Sequence, residues 1–131
     1  MGLRVGKLLG GSSWRVILAG QSPENSVALV EREKPDVVVI VDAAEMGLAP
    51  GEFRQLQLSQ TARMIGSTHA LPLGVLVQLL RPRAKRVVLI GVQTGDRSLG
   101  EGLTPAVEQG AVRLAAILRE GRWEEVEDYR R

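Results

Sequence analysis

Asp36-Val37-Val38-Val39-Ile40-Val41-Asp42-Ala43-Ala44-Glu45 is the stretch that decides the fold. Its β-branched residues, Val37 to Val41, run on without polar alternation, so neither face of the strand they form suits water. A strand of that kind is covered by helices on both sides and belongs in the centre of a sheet. Arg86 to Ile90 (RVVLI) is a second buried-type strand, and Trp14 to Ala19 (WRVILA), ended by Gly20, is a shorter β-rich run. After the turn Gly47 to Gly51, Glu52 to Leu58 (EFRQLQL) alternates only loosely, at Phe53, Leu56 and Leu58, and reads as an edge strand.

Helical patterns separate these runs. Leu3, Val5, Leu8 and Leu9 have helix-like spacing closed by Gly10-Gly11, and Asn25 to Glu33 follows the turn Ser22-Pro23-Glu24. Residues 70–80 (ALPLGVLVQLL) are apolar on nearly all sides, which predicts a buried helix beginning close to His69 and stopped by Arg81-Pro82. Beyond a Gly-rich loop from Gly91 to Gly102, Pro105 opens a last helix with Val107, Ala111, Leu114 and Leu118 on one face. The alternation predicts an α/β domain of three layers, helix–sheet–helix, around a small, mostly parallel sheet of roughly four strands. That domain covers residues 1–118, and residues 119–131 (REGRWEEVEDYRR) read as a solvated, charged tail.

A chain of 131 residues is one domain with a real core, and 44% hydrophobic with 24% charged residues is the balance of a soluble globular protein. A net charge of +2 and 3% aromatic residues argue against nucleic acid as a partner. No window is long and apolar enough for a membrane span and the start lacks the parts of a signal peptide, so a cytoplasmic location is expected. The absence of cysteine removes disulfides, thiol nucleophiles and thiolate metal sites, leaving oxygen and imidazole as metal ligands.

In open α/β sheets the ligand site lies beyond the carboxyl ends of the strands. Asp42 should emerge there at the sheet rim, where a capping role is the competing reading. His69, the single histidine, precedes a helix whose positive end favours the neutral ring, the form that binds metal; a cap or core histidine is the alternative. One carboxylate and one imidazole leave a catalytic metal site short of a ligand. Neither a phosphate-cradling loop nor a dinucleotide fingerprint follows a strand, and Ser67, His69 and Asp42 lack a nucleophile elbow. The cations of Arg81-Pro82-Arg83-Ala84-Lys85-Arg86 read as a solvated loop rather than an anion site.

Several segments taken together resemble one family. Val39-Ile40-Val41-Asp42-Ala43-Ala44-Glu45-Met46-Gly47-Leu48 with Pro50-Gly51-Glu52, Ser67-Thr68-His69-Ala70-Leu71-Pro72-Leu73, and Ile90-Gly91-Val92-Gln93 are similar, in this order, to segments of the hydrogenase maturation endopeptidases. Ser22-Pro23-Glu24-Asn25 resembles a motif of the branch serving formate-hydrogenlyase-type hydrogenases, and the resemblance runs over residues 3–118. It implies a phosphorylase/hydrolase-like fold and a metal-dependent, aspartic-type peptidase that trims the C-terminal extension of the nickel–iron hydrogenase large-subunit precursor. It also implies that Asp42 and His69 are metal-contacting catalytic residues, acting on nickel carried by the bound precursor or on another divalent ion in vitro. Gln93 and Glu45 would line the same cleft, with no role assigned. The family's opening strand and the acid that supplies its third metal contact have no counterpart, because the resemblance starts inside the first helix. The sheet edges left unpaired would favour an edge-paired or swapped homodimer. A non-catalytic binding module on the same fold is the alternative that this departure favours.

Overall fold

In the computed structural model, residues 23–64, 73–95 and 104–130 are described. Helix α1 (Pro23–Glu33) leads to strands β1 (Val37–Ala44) and β2 (Phe53–Leu56), helix α2 (Leu73–Leu80), strand β3 (Arg86–Gln93) and helix α3 (Pro105–Arg119). The expected helix at residues 3–9, the Trp14–Ala19 strand and the Gly-rich stretch at 96–102 lie outside the described residues.

The three described strands are ordered β1-β3-β2. β1 runs parallel to β3, from Val37 opposite Arg86 to Ala44 opposite Gln93, and β2 is antiparallel to β3. The predominantly parallel sheet expected from the sequence thus shows one parallel and one antiparallel pair among the described residues. β2 is an edge strand as expected, while the middle of the described sheet belongs to β3 rather than to the Asp36–Val41 run. β3 also continues through Gly91 to Gln93, where the sequence predicts a loop. A Cβ on Gly91 would lie 2.6 Å from Ala44 Cβ and 3.0 Å from Leu56 Cδ1, so this glycine permits close approach of its neighbours inside the sheet.

Strand alternation makes the three layers. Val37, Val39 and Val41, with Val88, Ile90 and Val92 beside them, pack against Ala111, Leu114, Ala115 and Leu118 of α3. The intervening Val38, Ile40 and Val87 meet Val30 of α1 with Leu76 and Leu80 of α2 on the opposite face. Each fully buried aliphatic side chain such as Ile90 or Leu114 contributes about 1.5–3 kcal/mol. The expected α3 face, Val107, Ala111, Leu114 and Leu118, is buried throughout.

The ends of α3 have local causes. Thr104 Oγ1 accepts the Val107 N–H at 3.3 Å and Pro105 occupies the first turn. At the other end, Gly121 (φ 73) donates to Leu118 O and Arg122 N–H to Ile117 O, the paired bonds of a glycine-terminated helix. Arg122 then binds Glu120 and Glu125 at the surface, and the Glu120 hydrogen bond and charge hold its guanidinium pKa above the ordinary value.

α2 departs from its expected all-round burial. Leu76, Val77 and Leu80 are buried, but Val75 and Leu79 are 44% and 40% exposed because only one side of the helix meets the sheet. It ends at Leu80, where Pro82 carries the chain into a 3₁₀ turn over Arg81–Arg83. Arg83 pairs with Glu31 and Lys85 with Asp36, both at 3.5 Å, exposed pairs worth at most about 1 kcal/mol each. No helix among the described residues is long and apolar enough to cross a membrane.

The reading of residues 119–131 as a solvated tail is corrected. Val126 and Tyr129 are buried, at 5% and 8% exposure. The Gln55 N–H donates to Glu127 O and the Tyr129 N–H to Gln55 O, each at 2.8 Å, while Gln55 Nε2 reaches Trp123 O and Val126 O. This strap supplies backbone partners to Gln55 of β2, an edge strand that would otherwise lack them. Its isolated apolar residues among so many charges have no periodicity that could betray it. Tyr129 also donates its hydroxyl to Met46 O at 3.0 Å in a buried contact. Tyr129→Phe keeps the ring and strands that carbonyl, so urea unfolding should show a loss of about 1–2 kcal/mol.

Candidate functional site

Because β1 and β3 are parallel, their carboxyl ends emerge side by side, with Asp42 opposite Gly91 and Ala44 opposite Gln93. This is the end of an α/β sheet at which ligands bind. Asp42 lies within β1, two residues before its end, rather than just past it. Alternation sets it on the face of Val38 and Ile40, the side covered by α1 and α2. It is half-buried, and its Oδ1 accepts the Ala43 N–H at 2.8 Å. Gly91 across the strand pair has no side chain to crowd the carboxylate.

The chain turns immediately after β1, and this turn is held from several directions. The Glu45 N–H donates to Arg63 O at 2.8 Å, and Ala44 bridges to Met64. Gly47 takes φ 70, a conformation natural to glycine, and its N–H donates to Glu45 Oε2 at 3.1 Å. Gln93 is the centre of the arrangement, a side chain with 3% exposure at the end of β3. Its Oε1 accepts the Met46 N–H at 2.7 Å and the Leu48 N–H at 3.3 Å. Its Nε2 donates to Glu45 Oε2 at 3.1 Å and to Thr94 O at 3.0 Å. All four bonding positions of this amide are therefore used. Its backbone continues the lacing, as the Gly51 N–H donates to Gln93 O and the Gln93 N–H to Glu52 O, each at 2.8 Å.

The two candidate ligands have different standing. Asp42 lies near the carboxyl end of β1, inside the strand, whereas His69 and Ser67 lie outside the described residues. Among the described residues no three His, Cys, Asp or Glu side chains gather as a metal would require. Asp42 brings one hard oxygen donor, suited to share a metal but too few to hold one alone. A surface groove of about 630 Å³, lined by Gln55, Arg86, Trp123 and Asp128 among others, includes neither Asp42 nor the turn after it. The sequence reading brought Gln93 to the correct strand end without a role. The signal available was a polar side chain closing an apolar strand at the ligand-binding edge.

Comparison with known proteins bears on this arrangement. A family model described as hydrogenase maturation protease matches residues 6–120. The chain is 37% identical over 82 residues to the Hydrogenase 3 maturation protease of Escherichia coli (strain K12), an alignment covering 62% of this chain and 53% of that protein. The chain thus matches about half the length of that curated relative. The crystal structure of a NiFe hydrogenase maturation protease HycI from Thermococcus kodakarensis KOD1 superposes with a TM-score of 0.74 at 30% identity, covering 92% of this chain and 80% of that one. The solution structure of the endopeptidase HycI from Escherichia coli superposes with a TM-score of 0.76 at 23% identity, over 96% of this chain and 84% of that one, a likeness of fold.

Proposed function

From the premise that the chain belongs to the hydrogenase maturation protease family, we propose that it is an endopeptidase that removes the C-terminal extension of a nickel–iron hydrogenase large-subunit precursor. The observation that carries this reading is the family match taken together with Asp42 at the carboxyl end of the parallel pair β1–β3.

In this reading nickel is part of the substrate, already seated in the precursor. Asp42 offers a hard carboxylate oxygen and His69 a borderline imidazole nitrogen, a pair that shares nickel without stripping it from thiolates. Bound metal supplies Lewis-acid polarisation and a more acidic water. His69 stands four residues ahead of Leu73, the first residue of α2, and α2 covers the same sheet face on which Asp42 lies. That sequence proximity supports a shared site. Asp42 keeps its orientation through the Ala43 N–H and through the rigid strand pair beneath it. No side-chain nucleophile is required, since water is the attacking group in a metal-assisted hydrolysis.

A second reading is a module that recognises the precursor without cutting it, in which the Asp42 carboxylate serves the local structure through the Ala43 N–H. One experiment separates the two. The chain is incubated with nickel-loaded precursor and with nickel-free precursor, and intact masses are followed. Loss of a C-terminal segment from the loaded form alone is the expected result; a stable complex of unchanged mass would replace the peptidase with the binding module.

A further inference from the structure

We propose that Gln93 is a positioning residue for the peptidase reaction, holding the Glu45–Leu48 turn that follows Asp42 and the direction of the Glu45 carboxylate. The inference rests on the peptidase reading above and adds to it a group that touches neither metal nor substrate. It starts from the cost of burial. A primary amide with 3% exposure must satisfy two donors and two acceptor positions, and apolar side chains would serve a purely structural packing role without that demand. Gln93 satisfies them all on the segment that follows Asp42, through Met46, Leu48 and Glu45, and on Thr94.

The geometry is directional. Oε1 gathers two N–H groups of the turn, which fixes its backbone curvature. Nε2 and the Gly47 N–H both donate to Glu45 Oε2, so the carboxylate of an exposed residue is held in one orientation just past the end of β1. Only an amide does both, because an acid at 93 would set two carboxylates 3.1 Å apart. The neighbouring anchors, Arg63 O on the Glu45 N–H and the Tyr129 hydroxyl on Met46 O, stabilise the turn without touching the Glu45 side chain. The Gly47 N–H also reaches that carboxylate from within the turn, and Gln93 is the contact that ties both the turn backbone and the carboxylate to the end of β3.

The test compares wild type, Glu45→Ala, Gln93→Glu and the double variant Glu45→Gln/Gln93→Glu on nickel-loaded precursor. Rates are normalised to the folded fraction from urea unfolding, and amide exchange is read at Met46 and Leu48. Gln93→Glu is expected to lower kcat by about tenfold or more per folded molecule, with faster exchange at both amides, as misplacement near a reacting centre does. The double variant relieves the carboxylate–carboxylate repulsion, although the amide at 45 then faces the Gly47 N–H and the acid at 93 faces Thr94 O, so any recovery of kcat and amide protection should be partial. Glu45→Ala changes an exposed residue and gives an answer even where Gln93→Glu folds poorly: kcat per folded molecule should fall, with only the small drop in unfolding midpoint that loss of the Gln93 and Gly47 bonds to the carboxylate entails. Wild-type kcat in Glu45→Ala or wild-type kcat per folded molecule in Gln93→Glu would overturn the positioning role and leave Gln93 a structural residue. A wild-type chain that leaves the precursor uncut would overturn the peptidase reading and this role with it.

Discussion

Gly110→Ala should destabilise the protein by about 2 kcal/mol or more, although the change places the best helix former inside a helix. In an isolated helix that substitution gains about 1 kcal/mol. In α3 the added methyl would lie 2.7 Å from Gly51 Cα and 2.8 Å from Gly51 C, and closer still to Gly51 O. Overpacking of this kind typically costs about 1–3 kcal/mol and more where the neighbour cannot yield. Gly51 cannot yield cheaply. It sits at φ 93, its N–H is bonded to Gln93 O at 2.8 Å, and its carbonyl accepts from Arg113 at 3.3 Å. A Cβ on Gly51 itself would in turn meet the Ala106 carbonyl, so the contact is backbone against backbone from both sides. Thermal unfolding should show a fall of about 6 °C or more for a chain of this length. A rise in Tm would mean that helix propensity wins and that α3 and the 47–52 segment are not in such contact. The stake extends beyond stability, because the same segment is laced to Gln93 and closes the turn after Asp42.

On the proposed peptidase reading, Asp42→Asn should lower kcat/KM for precursor cleavage by about a thousandfold or more, while the fold survives. The amide oxygen of asparagine can still accept the Ala43 N–H, so the local bond at 2.8 Å is retained. What disappears is the anionic oxygen. Loss of a group that stabilises charge at the reacting centre costs about a hundredfold to a thousandfold even for a neutral donor, and a hard anionic ligand counts for more. Two measurements check it: an intact-mass time course on nickel-loaded precursor, and calorimetric titration with nickel or cadmium on Asp42→Asn beside His69→Ala. Cleavage at the wild-type rate by Asp42→Asn would remove Asp42 from the chemistry and leave its bond to Ala43 as its role.

How much was legible follows from the range of the interaction. The β-branched run at Val37–Val41 and the RVVLI run at 86–90 announce strands covered on both faces, and the structure packs helices against both, with Val88–Ile90 buried and Val37–Val41 half-buried. The stripe Val107, Ala111, Leu114 and Leu118 announces the buried face of α3, and Thr104-Pro105 its start. Asp42 was legible as the first polar side chain after the apolar run Val37–Val41, although β1 itself continues to Ala44. By contrast, the exposure of Val75 and Leu79 was not, since uniform apolarity carries no period from which to tell the covered side of α2. The reach of β3 to Gln93 was hidden by Gly91, which reads as a loop until the close neighbours Ala44 and Leu56 are seen.

What the sequence determined by itself is therefore the described helices and strands in outline, the buried face of α3 and the place of Asp42 near the carboxyl end of β1, because these are written in spacings of two to four residues that local geometry enforces. Only the tertiary structure decided that Gln93 would hold Met46, 47 positions away, that Tyr129 would hold the same residue from 83 positions away, and that Gly51 would meet Gly110 backbone to backbone. Such pairs depend on sheet register and on where the chain returns, and a hydrogen bond or steric contact between distant positions leaves no periodic trace along either segment.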